Sequence, residues 1–158
     1  MKPFIKLNLI QPELVQPPMS GSELARAVIA AAQEAHRHLG PGFAEKIYEE
    51  ALCSELKEAG IPFERQREIS VLYKNWPIGT HRLQLLVDNA LVVKLEVIDA
   101  VAEIHKALMI AWLRATGLPL GLVINFNVPI LKNGIQRVMY RDNQTTGWNP
   151  VRSGVKKL

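Results

Sequence analysis

The stretch Arg82-Leu83-Gln84-Leu85-Leu86-Val87-Asp88-Asn89-Ala90-Leu91-Val92-Val93-Lys94-Leu95-Glu96-Val97 decides the fold. Its two apolar runs, Arg82 to Val87 and Leu91 to Val97, have strand length and carry branched side chains, so they predict two β-strands. Asp88-Asn89 between them is a two-residue turn signal, which makes the pair an antiparallel hairpin. Side chains two apart share a strand face. Arg82 and Gln84 are therefore expected to point together, as are Lys94 and Glu96, with Leu83, Leu85, Val93, Leu95 and Val97 pointing the other way. Charges inside such apolar runs are costly unless paired, so the polar face should border a pocket or hold an ion-pair network.

Working outward, Phe63 to Tyr73 alternates as a further strand, with Ile69, Val71 and Tyr73 on one side, and Asn75-Trp76-Pro77-Ile78-Gly79 reads as a turn. Downstream, Ile104 to Ala115 is apolar on nearly every face and predicts a buried helix ended by Gly117. Leu120 to Phe126 reads as an interior strand, and Asn133-Gly134 turns the chain into a last strand, Ile135 to Tyr140. Upstream, Ser20 or Ser22 can cap a helix whose apolar stripe is Leu24, Val28, Ala32, Ala35 and Leu39. Gly40-Pro41-Gly42 breaks it, and a second helix runs from near Phe43 to Gly60. The order is helix, helix, three strands, helix, two strands. It predicts an α/β fold, with a central mixed sheet of about five strands flanked by about three helices.

The chain's 158 residues fit one domain, placed at residues 20–141. Residues 1–19, with Pro3, Pro12, Pro17 and Pro18, predict an extended arm, and residues 142–158 a polar basic tail. Apolar residues make up 48% and charged residues 22%, a balance that excludes a disordered chain or a fibre. Cys53 alone cannot form an internal disulfide, which fits a reducing cytoplasm. No stretch approaches the ~20 apolar residues of a spanning helix, so no membrane is expected. The net charge of +4 sits at the ends, +1 in residues 1–20 and +3 in residues 141–158, and leaves the middle neutral. Charge count alone thus does not mark a nucleic-acid-binding body.

Gly42, Glu45 and Tyr48 recur at three-residue intervals, and Glu45, Tyr48 and Leu52 share a helix face, which sets a carboxylate on the inward stripe. Gly42-Phe43-Ala44-Glu45-Lys46-Ile47-Tyr48 resembles the signature of the GxxExxY proteins. Glu64-Arg65-Gln66, His105, Gly121 to Asn127 and Gly134 to Val138 are similar to that family as well, and the likeness spans residues 21–141. The resemblance implies a restriction-endonuclease-like core of the PD-(D/E)XK kind. In such a site a strand Asp and a Glu-x-Lys on the next strand hold a divalent metal, with a helix Glu assisting.

This chain departs from that pattern where the metal chemistry lies. Gln84 stands at the strand Asp, Lys94-Leu95-Glu96 reverses Glu-x-Lys, and Leu108 replaces a helix Gln three residues past His105. Only Glu45 matches outright. An amide is a poor substitute for a metal-binding carboxylate, and an ammonium repels the ion. The expected reading is a degenerate site at Glu45, Gln84, Lys94 and Glu96, without catalysis, metal or other cofactor, in a fold that keeps contact with DNA or RNA through groups such as Arg82 and His105. Arg65, Arg67, Arg137 and Arg141 would join Arg82 and Lys94 around the cleft. One alternative is an active nuclease with a rearranged Glu45/Glu96/Lys94 site using Mg²⁺ or Mn²⁺. Another is a non-enzymatic interaction or homodimeric domain that uses apolar surface at Tyr73 and Trp76.

Remaining polar groups have structural readings. His36 and His38 point in different directions on a helix, which argues against a zinc pair. His105 reads as a hydrogen-bonded helix residue, and Cys53 as a buried apolar one. Asn125 and Asn127 fit turn chemistry.

Overall fold

The computed structural model describes residues 19–141. The expected arm, Met19 apart, and the tail from 142 onward lie outside the described residues. Helix α1 spans Gly21–Leu39 and α2 spans Glu45–Glu58. Strands β1 (Phe63–Tyr73), β2 (Trp76–Val87) and β3 (Leu91–Glu96) follow. Helix α3 (Glu103–Thr116) leads to β4 (Leu120–Asn125), and a 3-10 turn at Leu131–Gly134 leads to β5 (Ile135–Met139). The sheet order is β1-β2-β3-β4-β5. All neighbours are antiparallel except β3 and β4, which α3 joins as a parallel pair. This is the predicted α/β architecture, a five-stranded mixed sheet with three helices and a restriction-endonuclease-like core.

Ser20 caps α1 reciprocally: its hydroxyl accepts the Glu23 N–H at 3.1 Å, and the Glu23 carboxylate accepts the Ser20 N–H at 3.0 Å. Leu24, Val28, Ala32 and Ala35 then bury the predicted stripe. Helices α1 and α2 cover one sheet face, where Tyr48, Leu52 and Leu56 pack with Leu85, Val93, Leu95, Leu122 and Ile124. On the other face Met109 and Leu113 of α3 pack with Ile69, Leu83, Leu86, Val92 and Val123. Each fully buried Leu or Val stabilises the fold by about 1.5–3 kcal/mol before the entropy of ordering is counted.

Three sequence expectations are corrected. The turn is Lys74-Asn75 alone, with φ of 48° and 70°, and Trp76 to Gly79 belong to β2. Two left-handed residues make a tight hairpin that needs no longer loop, with Tyr73 opposite Trp76. Helix α3 is not buried all round: Met109 and Leu113 face the sheet, while Ile104 and Leu108 are exposed. A single helix on that sheet face is covered along one stripe only. Finally, Leu83 and Leu85 do not share a face, since Leu83 packs against the α3 side and Leu85 against the α1–α2 side. The alternation breaks at Gln84, whose side chain, like that of Leu85, reaches the α2 side.

Candidate functional site at the fork of β2 and β3

Pairing between β2 and β3 ends at Leu85–Val93. Past that point the strands part, and the Gln84 side chain spans the gap by accepting the Leu95 N–H on Oε1 at 2.7 Å. A buried N–H freed from the ladder is thereby satisfied, as burial demands. The N-terminal turn of α2 faces this fork.

The spacing of Gly42, Glu45 and Tyr48 has a local cause. Gly42 holds φ of 115°, a conformation open to glycine and strained for other residues. Glu45 is the first residue of α2, where the helix dipole favours a carboxylate. Tyr48, fully buried, stacks on Phe126 with ring centroids 4.6 Å apart and planes 15° apart. Its hydroxyl donates to the Gly40 carbonyl and accepts the Phe43 N–H. The tyrosine thus ties down the loop that enters α2, and that loop sets the position of Glu45.

Four of the sequence-predicted site residues meet here. Gln84 Nε2 donates to Glu45 Oε2 at 2.6 Å and to Glu49 Oε1 at 2.9 Å. Lys94 Nζ donates to the Leu95 carbonyl at 2.8 Å and lies 3.6 Å from Glu45 Oε2 and 3.7 Å from Glu96 Oε1. The Gln84 amide is thus fully used, with both donors on carboxylates and its oxygen on the backbone. The Lys94 side chain is 25% exposed and that of Glu45 39%, so the site opens to solvent on the Glu45 side.

Glu49 is the member that sequence reasoning missed. It is buried, one helical turn past Glu45, and Arg65 Nε on β1 donates to it at 2.8 Å. The signal was available in the four-residue spacing of two glutamates on the inward side of one helix. Arg65 also donates to Glu50 at 2.7 Å. That bond, and the cation's field, hold the Glu50 carboxyl below the usual glutamate range, while the two glutamates raise the guanidinium above its ordinary value.

Two further predicted residues stand apart from the fork. Arg82 is exposed on β2 and makes a long 3.4 Å bond to the Gln66 carbonyl of β1. His105 caps α3, its Nδ1 accepting the Ala102 N–H at 2.8 Å. Asn125 does more than turn chemistry. Buried at the end of β4, it donates to the Ile98 carbonyl and accepts the Ile98 and Asn127 N–H groups, which staples the segment leaving β3. His36 bonds inward to the Val128 carbonyl and His38 outward to Glu34, as their spacing required. Cys53 is buried, and burial pushes its thiol pKa up.

A family model of the PD-(D/E)XK nuclease superfamily matches residues 22–138, from the second residue of α1 to β5. The chain belongs to the PD-(D/E)XK nuclease superfamily. No curated protein and no solved structure matches it. A metal site of this superfamily calls for hard oxygen acceptors around a divalent ion. The residues present do not fit such an ion. Gln84 turns an N–H donor toward Glu45 and Glu49, and its own oxygen is taken by Leu95. Lys94 adds an ammonium to the same space. Among the described residues no three His, Cys, Asp or Glu side chains converge as a metal-binding group. No helix among them is long and apolar enough to cross a membrane.

Proposed function

We propose that this PD-(D/E)XK domain is a non-catalytic member of the GxxExxY branch, with a hydrogen-bonded ion-pair network in place of metal-dependent phosphodiester hydrolysis. One observation carries the reading: the Gln84 amide donates to both Glu45 and Glu49 from the strand position where the resemblance expects a metal-binding Asp. With Lys94 beside it, the fork offers cations and N–H donors where the superfamily chemistry needs acceptors. The rearranged Glu45/Glu96/Lys94 nuclease has less support, since Lys94 Nζ is held between the two carboxylates that would bind metal.

The test is incubation with single- and double-stranded DNA and RNA in Mg²⁺ or Mn²⁺, beside Glu96→Ala. No cleavage by either protein is expected. Cleavage by the wild type that disappears in Glu96→Ala overturns the proposal.

A binding role through apolar surface is favoured over nucleic-acid contact at the fork. Arg65, Arg67 and Lys94, three of the cations expected to meet phosphate, are instead committed to Glu49 and Glu50, to Glu64, and to Glu45 and Glu96. The β1–β2 ribbon, by contrast, ends in exposed Tyr73, Trp76 and Ile78. Exposed aromatics of this kind are enriched at protein interfaces. Self-association in sedimentation runs that weakens in Trp76→Ala is the expected result. Binding of DNA or RNA with a steep salt dependence favours the nucleic-acid reading instead.

A further inference from the structure

The sheet has two outer strands, β1 and β5. An outer strand offers unpaired N–H and C=O groups to any other strand, and proteins blunt it with charges, bulges or short length. β5 is short and has Arg137 at its centre. β1 is guarded along its first half only. Glu64-Arg65-Gln66-Arg67-Glu68 is charged at four of five positions, and Gln66 holds φ of 55°, which breaks the extended edge. From Ile69 to Tyr73 the strand carries no charge, proline or glycine. The register slip against β2 falls on Ile78, skipped between Gly79 and Pro77, so β1 itself runs regularly through this half.

The segment Glu68-Ile69-Ser70-Val71-Leu72-Tyr73-Lys74 complements its own reverse. Turned about Val71, it sets Glu68 opposite Lys74 at both ends, Ile69 opposite Tyr73, and Ser70 opposite Leu72. Opposite charges and aromatic–β-branched pairs are favourable cross-strand neighbours. Glu68, Tyr73 and Lys74 are all exposed. A slip of one residue sets Lys74 against Ile69 or Glu68 against Tyr73, and turns every side chain to the other face. In the centred register, Tyr73 of a second copy stands opposite Ile69 and so lies on the α3 side of the sheet. There α3 leaves Ile104 and Leu108 exposed, on the row that leads to Trp112, whose ring meets His81 beside Ile69. A second copy thus brings apolar surface to where this chain leaves its own uncovered.

We propose that two copies of this chain join antiparallel through Ile69–Tyr73 of β1, about a two-fold axis at Val71, with Glu68 of each copy opposite Lys74 of the other. The two sheets become one. This rests on the apolar-surface role proposed above and gives it a partner and a register.

Sedimentation equilibrium measures the dimer. Glu68→Lys and Lys74→Glu each set like charges at both ends and should weaken it about tenfold. The double variant Glu68→Lys/Lys74→Glu should regain the wild-type affinity. An equimolar mixture of the two single variants should form a heterodimer tighter than either homodimer. Val71→Cys reads the register directly. Opposite Cα atoms in an antiparallel pair lie about 4.5–5.5 Å apart, within disulfide reach, so mild oxidation should yield a covalent dimer. Ser70→Cys, whose copies stand two positions off register, and the wild type, whose Cys53 is buried, should yield none. If a charge variant fails to fold, Val71→Cys decides. A dimer that ignores the charge reversals and is not cross-linked through Val71→Cys overturns this pairing, and leaves the apolar-surface role standing if Trp76→Ala still weakens it. A protein that stays monomeric at every concentration overturns both.

Discussion

Gln84 Nε2 lies 2.6 Å from Glu45 Oε2, a hydrogen bond that joins the unpaired part of β2 to the first turn of α2. A carboxylate at position 84 would repel both Glu45 and Glu49 unless a cation lay among them. The amide therefore stabilises what a metal would otherwise have to hold together. Gln84→Glu, nearly the same shape, tests this. It places a third carboxylate beside two whose cations, Lys94 and Arg65, are already engaged, and should cost roughly 3 kcal/mol at neutral pH, measured by urea unfolding. The loss should shrink as the pH falls and the new carboxyl takes up a proton.

Tyr48 acts on the site through the loop it anchors. Tyr48→Phe keeps the ring stacked on Phe126 but removes the bonds to the Gly40 carbonyl and the Phe43 N–H. It should cost about 1–2 kcal/mol and speed amide exchange at Phe43 in hydrogen-exchange measurements.

Lys94 is neither sealed in the core nor free on the surface. Its two carboxylate partners sit beyond 3.5 Å and one side of the site meets water. Lys94→Met, which keeps the apolar stem, should therefore cost about 1–2 kcal/mol, between the values for a charged hydrogen bond and an exposed ion pair. Chemical denaturation of the two proteins side by side gives the number.

Acid should destabilise the protein through Glu50. The hydrogen bond from Arg65 lowers its folded-state pKa. A depressed carboxyl contributes stability that is present above its unfolded value and lost as the pH falls through the folded one. Glu34 follows the same rule through its bond from Arg37. Melting temperatures should decline as the pH drops through and below the ordinary glutamate range. In Arg65→Met that decline should be shallower, because Glu50 has lost its partner.

Most of the fold was legible in the sequence because its signals are local. The capping Ser20, the stripe from Leu24 to Ala35, the Asp88-Asn89 turn and the strand runs each announce themselves within a few residues. Gln84, Lys94 and Glu96 were legible too, as polar residues with no evident reason to stand in apolar runs, and the family resemblance joined Glu45 to them. What the sequence hid is non-local. Strict alternation placed Leu83 and Leu85 together, but the Gln84 side chain turns to hold Leu95, and the break in alternation there separates them. Trp76 to Gly79 resemble a turn in composition, yet two left-handed residues at Lys74-Asn75 already reverse the chain. The exposure of Ile104 and Leu108 depends on how many layers cover that sheet face, which no local pattern states. Glu49 went unnoticed because its partners, Arg65 and Gln84, lie on two different strands.

The most direct test of the central claim is Mn²⁺ calorimetry on the wild type beside the triple variant Gln84→Asp/Lys94→Glu/Glu96→Lys, which restores the acidic strand residue and the Glu-x-Lys order. The account predicts no binding heat for the wild type and clear binding by the triple variant. Equal, tight binding by both proteins would contradict it, since it would mean that Gln84 and Lys94 never closed the site to metal.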